Sequence, residues 1–229
     1  MNLKKYYGAQ GDYLKEHKNY FSNKQLKKDV DFVISAMRLN KKDKILDLAC
    51  GHGRHTIELK KKNFNIDGLD YSRHLLKIAK NHAEQEGLRI NFYQKDIHKI
   101  KLGTKYDKIF LFFSEFGMFD ADKVLRDATK ILKIGGLFLL DCDNVFRLIQ
   151  YLIKNPGTPY QFDFITMELK EKQNNNKGAR YYIVPELEKL FNDHGLKVIS
   201  LYGNYKKQKL DINSKRIILI GKKIKGIFK

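Results

Sequence analysis

Tryptophan is absent from this chain of 229 residues, cysteine occurs only twice and arginine only eight times, and acidic residues are outnumbered 26 to 45 by basic ones. Each scarcity excludes something. Two cysteines, Cys50 and Cys142, cannot build a multi-disulfide scaffold and have no metal-ligand spacing, so they read as reduced thiols of a cytosolic protein. No cluster of His, Cys, Asp or Glu has the spacing of a metal site, and His52, His55, His74, His82, His98 and His194 are scattered. No apolar run approaches the roughly 18 residues of a bilayer-spanning helix, and Met1-Asn2-Leu3-Lys4-Lys5 lacks the apolar segment of a secretory signal. The expectation is a cytoplasmic protein with no membrane partner, monomeric or homodimeric. The net charge of +19 invites nucleic acid, but 37 lysines spread over almost every segment describe a solvated surface more than a phosphate-gripping face. Two local runs stand out, Lys206-Lys207-Gln208-Lys209 and Lys222-Lys223-Ile224-Lys225 with Lys229.

What the chain does contain is concentrated between Lys44 and Asp70. Ile45, Leu46, Leu48 and Ala49 fit a strand covered on both faces, and Asp47 lies within it. Gly51 and Gly53 follow, free to adopt backbone angles closed to other residues and to admit a ligand against the main chain. Thr56, Ile57 and Leu59 then begin a helix whose N-terminus faces the same turn. Asn65 to Asp70 reads as the next strand, with the Asp70 carboxylate at its C-terminal end, where ribose hydroxyls are gripped. Dinucleotide oxidoreductases share this layout, but their third glycine is replaced here by Thr56, and Asp47 suits a cationic amino or sulfonium group better than two phosphates.

With Asp47, Gly51 and Gly53, then Asp70-Tyr71-Ser72, then Gln94-Lys95-Asp96-Ile97 in order, the chain resembles the class I S-adenosylmethionine-dependent methyltransferases. The resemblance is specific over residues 40–142 and extends by pattern over 180–223. It implies a Rossmann-like, doubly wound α/β three-layer sandwich: a seven-stranded, mostly parallel sheet with an antiparallel C-terminal strand and a helical N-terminal cap. It also implies S-adenosylmethionine as cofactor and S-adenosylhomocysteine as product. The loop of Asp47, Ala49, Gly51, Gly53 and Arg54 would hold the amino-acid end, Asp70 and Tyr71 the ribose, and Asp96 and Ile97 the adenine. Asp96 has a plainer reading as a loop acid or helix cap. Tyr13 would close over the cofactor, and Phe112 and Phe113 would border it. Ser114 and Glu115 would shape the acceptor pocket; Glu115 could bind a cationic amine, act as a base, or be an exposed loop acid.

Along the rest of the chain, one domain is expected over 1–229: an N-terminal cap (1–40), a cofactor-binding core (41–142), a short lid region (143–180) and a C-terminal helix and strand pair (181–229). An amphipathic helix is predicted from Asn23 to Met37, and another over Ser72 to Glu86 with Ser72 as its cap. Strands follow at Arg89 to Gln94 and Tyr106 to Phe113. A further helix leads through Leu132 to Lys133-Ile134-Gly135-Gly136, a tight helix-to-strand reversal before Leu137 to Leu140. The lid region looks reduced, with a strand over Phe162 to Leu169 and a mobile polar stretch from Glu171 to Gly178. A helix from Pro185 to His194 and strands Leu196 to Leu201 and Arg216 to Ile220 complete the pattern. The expected activity is methyl transfer to a nitrogen, oxygen or carbon nucleophile of a small molecule by in-line displacement, with no catalytic residue assigned. The alternatives are a tRNA or rRNA methyltransferase and a catalytically silent S-adenosylmethionine-binding regulator. The Asn-Pro-Pro-Tyr motif of many base-amino methyltransferases is absent after the fourth strand.

Overall fold

Alternation governs the sheet. In the computed structural model, which describes residues 6–16, 22–112, 116–172 and 174–224, strand β1 (Lys44–Leu48) sends Leu46 and Leu48 to one face and Ile45 to the other. β4 (Tyr106–Leu111) repeats this with Ile109 and Leu111 against Phe110, and β5 (Leu132–Asp143) with Phe138 and Leu140 against Leu139. A strand whose successive side chains enter two separate cores must be covered on both faces, which is the signature of a three-layer α/β fold.

The covering helices come from the crossovers. α1 (Asn23–Ala36) supplies Val30, Phe32 and Val33 to one core, and α2 (Arg54–Lys61) adds Leu59. α3 (Arg73–Gln85) packs Leu76, Ala79 and Ala83 over Phe92 of β3 (Phe92–Gln94). On the opposite face lie α4 (Ala121–Ile131) and, later in the chain, a helix over Val184–Asp193. Three of the starts are fixed by a side chain, with Ser22, Ser72 and Asp120 accepting from the Gln25, Leu75 and Lys123 amides.

With β2 (Asn65–Asp70), the sheet runs β3-β2-β1-β4-β5-β10-β9. β9 is Leu196–Tyr202 and β10 is Arg216–Lys223, the latter antiparallel to both neighbours. Chain order reverses beside β1, so the carboxyl ends of β1 and β4 frame the crevice where open α/β sheets take ligands. The expected fold class is the one observed. Among the described residues no helix is long and apolar enough to cross a membrane, and no group of His, Cys, Asp and Glu could hold a metal ion.

Four local expectations need correction. The third strand begins at Phe92 rather than Arg89. Gly135 and Gly136 do not precede β5 but interrupt it: pairing jumps from Tyr106 with Leu132 to Lys108 with Leu137. Gly135 takes φ +80° in this bulge, and a Cβ on Gly136 would lie 2.8 Å from the Asp107 carbonyl. Phe162 to Leu169 is not one strand but a hairpin, β6 (Tyr160–Asp163) and β7 (Glu168–Glu171), because the Asp163 side chain accepts from the Ile165 and Thr166 amides and turns the chain. The polar stretch is largely a third strand, β8 (Asn174–Arg180), paired antiparallel with β7, so main-chain pairing overrides its low strand propensity. Together with α5 (Val145–Lys154), this three-stranded sheet forms a more regular lid than expected.

Candidate active site

Where β1 ends, the backbone turns through left-handed angles three times, at Ala49 (φ +58°), Gly51 (φ +56°) and Gly53 (φ +76°). Alanine in that region is strained, a state that persists only when surrounding bonds impose it. Those bonds are present: the Cys50 amide donates to the Leu69 carbonyl (2.9 Å), the Gly53 amide to the Cys50 carbonyl (2.9 Å), and the Gly51 amide to Asp70 Oδ2 (2.8 Å). The two glycines differ in purpose. A Cβ on Gly53 would approach Ala79 Cβ to 2.9 Å, so this glycine lets α3 close on the turn. A Cβ on Gly51 would meet nothing nearer than Leu75 at 3.9 Å and the Tyr13 hydroxyl at 4.0 Å. Room therefore remains above Gly51, with Tyr13 at its edge.

Acids surround that room. Asp47 is buried and accepts from the Thr56 hydroxyl at 2.6 Å. Burial pushes its carboxyl up to about 7, opposed by the Thr56 bond and aided by the charge of Asp70. Burial also raises Asp70, against the Ser72 amide (2.7 Å to Oδ1) and the Gly51 amide. Two mutually repelling carboxyls, one buried and one partly buried, favour a cation beside them. The Lys95 amide donates to the Asp70 carbonyl (3.0 Å), which ties the Asp96 loop to the same crevice. Partial burial would raise Asp96, but the His98 amide (2.9 Å) and ring Nδ1 (2.8 Å) outweigh it and hold the carboxyl below its usual range. His98 Nε2 accepts from the Asp120 amide (3.0 Å), which leaves Nδ1 as the nitrogen facing Asp96.

Among the sequence-predicted residues, Tyr13, Asp47, Ala49, Gly51, Gly53 and Asp70 thus converge on one turn, with Tyr71 exposed beside it. Asp96 is half exposed on the adjoining loop, and Ile97 is buried in the core. Arg54 reaches across to Asp29 of α1 at 3.3 Å. Phe112 is packed among His55, Phe32 and Tyr205. Phe113, Ser114 and Glu115 lie outside the described residues.

Some side chains escaped the sequence. Asp29, fully buried, gathers Gln25 Nε2 (2.6 Å), His55 Nε2 and Arg54. Burial pushes His55 down to about 4 despite Asp29, and His52 likewise, so neither is charged at neutral pH. Asp141, also fully buried, accepts from the Tyr205 hydroxyl (2.9 Å) and Arg216 Nε (2.7 Å). Its signal was available, since it is an acid at the end of an apolar strand like Asp47 and Asp70. Cys50 and Cys142 are buried thiols that burial pushes up, which makes them poor nucleophiles.

Two cavities lie at the carboxyl end of β5. One of about 170 Å³ is bordered by Phe116, Met118, Cys142 and Tyr182, and one of about 390 Å³ by α5, Tyr181 and Lys215.

The group implied by this fold is S-adenosylmethionine, and the residues fit it: space over Gly51, unneutralised acids for an amine and sulfonium, and a second-strand carboxylate for ribose hydroxyls. A methyltransferase-domain family model matches residues 39–211. A ubiquinone biosynthesis O-methyltransferase of Coxiella burnetii is 27% identical over 161 residues, 69% of this chain and 65% of that protein, so the chain spans about two thirds of that relative's length. An S-adenosylmethionine-dependent methyltransferase of Clostridium acetobutylicum superposes with TM-score 0.74 at 23% identity, covering 93% of this chain and 99% of that one. The CcbJ methyltransferase of Streptomyces caelestis also gives 0.74, at 17% identity over 97% and 99%. At such identities the two structures speak for the fold alone. The chain belongs to the methyltransferase-domain family, with the Rossmann-like fold of the class I S-adenosylmethionine-dependent enzymes.

Proposed function

We propose that this chain transfers a methyl group from S-adenosylmethionine to a nitrogen, oxygen or carbon nucleophile of a small molecule. The observation that carries the reading is the buried Asp47 and the partly buried Asp70 beside the open turn at Gly51. In it, Asp47 and the Ala49–Gly53 turn hold the amino-acid end of the cofactor, Asp70 the ribose, Asp96 with the Ile97 amide the adenine, and Tyr13 covers the turn. The bound cofactor supplies a methyl carbon already activated by a sulfonium. The protein's task is to align the nucleophile with that carbon and exclude water, for which proximity can supply roughly 7–11 kcal/mol. No general base is assigned: His52 and His55 are neutral, and His55 is tied to Asp29.

The small-molecule acceptor is supported by the cavity of about 390 Å³ beside α5, within the usual range for such ligands. The Coxiella relative, named for ubiquinone biosynthesis, acts in the making of a small molecule. In this reading the cap (1–40), core (41–142), lid (143–180) and C-terminal segment (181–229) work as one methyltransferase domain. The test is calorimetric titration with S-adenosylmethionine and S-adenosylhomocysteine, alongside Asp70→Ala. Micromolar binding lost in the variant is the expected result. An intact protein that binds neither ligand overturns the reading.

A further inference from the structure

The helix α5 forms one wall of the larger cavity. Asn144 fixes its start: Oδ1 accepts from the Phe146 amide (3.1 Å), while Nδ2 donates to the Ser214 carbonyl (2.8 Å) in the loop before β10. In that setting Arg147, Tyr151 and Lys154, spaced i, i+4 and i+7, share one face and border the 390 Å³ cavity. Phe146 and Ile153, 46% and 74% exposed, lie on the flank of this stripe. A surface helix ordinarily buries its apolar stripe and shows its polar one to water. α5 follows this rule, with Val145 buried and Leu148, Ile149 and Leu152 partly covered, while the exposed Arg147 and Lys154 border an open cavity that has Tyr181 and Lys215 on its other walls.

The charge of this cavity has one sign. Its acid, Asp143, is engaged by Arg216. Among the described residues, Arg147, Lys154 and Lys215 have no carboxylate within ion-pair distance. Three uncompensated cations around one concavity raise the local concentration of anions, and an arginine fork can hold a carboxylate or phosphate through two parallel bonds. The smaller cavity differs. The 170 Å³ cavity shares Asp143 and Tyr181 with the larger one and is more aromatic, with Phe116 buried against Tyr182 at 5.3 Å between ring centroids and the Arg180 that borders it paired with Glu186.

We infer that the methyl acceptor is a small anion, with a carboxylate or phosphate seated among Arg147, Lys154 and Lys215 and an aromatic or apolar body directed past Tyr181 toward Phe116. The inference rests on the methyltransferase reading for the word acceptor, but the anion site itself does not. The substrate's charge stays among the three cations, and its body lies among Phe116, Met118 and Tyr182. A carboxylate and a phosphate share the same recognition chemistry, and the probes below separate them.

The full chain is titrated by calorimetry with 4-hydroxybenzoate, phenyl phosphate and the neutral 4-hydroxybenzamide, each with and without S-adenosylhomocysteine. The expected result is binding of at least one anion about tenfold tighter than the amide. Replacing the three cations together (Arg147→Gln, Lys154→Gln, Lys215→Gln) should remove that advantage while S-adenosylhomocysteine affinity changes less than twofold. Equal binding of anion and amide, retention of the anion advantage by the triple variant, or no millimolar binding of either anion overturns the proposal. A triple variant that loses affinity only for RNA assigns these cations to nucleic acid and also overturns it. Should S-adenosylhomocysteine fail to bind while the anion advantage stands, the methyltransferase reading falls and the anion site survives.

Discussion

Thr56 stands where a dinucleotide-binding loop has its third glycine, and its hydroxyl is the group that answers Asp47. That pairing leaves Asp47 buried and raised to about 7, which fixes the sign of its contribution to stability. In the unfolded chain the carboxyl ionises near 3.8, whereas in the folded chain it keeps its proton until about 7. Its stabilising contribution is therefore fully present below pH 4 and is lost as pH rises toward 7. His52 and His55, pushed down to about 4, act oppositely: what they contribute is present above their usual 6.5 and lost as pH falls toward 4. The whole protein's pH profile mixes these slopes, so the informative quantity is the stability difference between wild type and Asp47→Asn. Urea unfolding between pH 4 and 7.5 should show that difference declining with pH, by roughly 4 kcal/mol at most. A difference that is flat or rises with pH would refute the assignment. Asp47 and Asp70 could be read from sequence because each ends or interrupts an apolar run beside a glycine turn. Asp29 could not, because its partners Arg54 and His55 reach it only when α1 and α2 pack.

The β1–turn–α2 element was legible because its glycines have no substitutes. A second prediction separates their roles. Gly53 combines φ +76° with a Cβ position 2.9 Å from Ala79, so Gly53→Ala carries both left-handed strain and overpacking, a loss of roughly 2–4 kcal/mol. Gly51→Ala carries the strain alone, roughly 1–2 kcal/mol, but its methyl enters the room beneath the Tyr13 hydroxyl. Urea midpoints should therefore rank Gly53→Ala as the less stable protein. Titration with S-adenosylhomocysteine should show the larger affinity loss per unit of lost stability in Gly51→Ala. The reverse ranking in either measurement contradicts the assignment of space to one glycine and packing to the other. The lid was less legible for a reason of the same kind. β8 has neither alternation nor β-branched residues, and what makes it a strand is the pairing offered by β7. The end of β8 also packs against the turn at Phe116–Met118, since a Cβ on Gly117 would overlap the Arg180 carbonyl. A residue run read alone carries no trace of either contact.

At the scale of the molecule, the sheet was readable because seven strands obey a two-residue period or a continuous apolar run, and a carboxylate or glycine marks where the leading ones stop. The charge was harder to interpret, since +19 is compatible with a nucleic-acid enzyme and with a merely lysine-rich surface. Several lysines are occupied in ways composition cannot reveal: Lys223 donates to the Thr129 and Leu132 carbonyls from a buried position, Lys133 pairs with Asp107, and Lys61 with Glu86. Lys223 belongs to one of the two suggestive basic runs, so part of that run serves to anchor β10 rather than to meet phosphate. A dedicated RNA face making six to ten phosphate contacts would lose about 10³–10⁵ in affinity between 50 and 200 mM salt. Dispersed lysines should instead give weak binding to structured RNA with a shallow slope, equivalent to about two or three phosphates. S-adenosylhomocysteine affinity should change less than about threefold over the same range, because the carboxyls that face it are largely withdrawn from screening solvent. Filter binding and calorimetry across that salt range measure both. A steep RNA slope, together with RNA that lowers the salt sensitivity of cofactor binding, would move the acceptor from a small molecule to nucleic acid, because only an occupant spanning many cations can couple the surface charge to the crevice at Gly51.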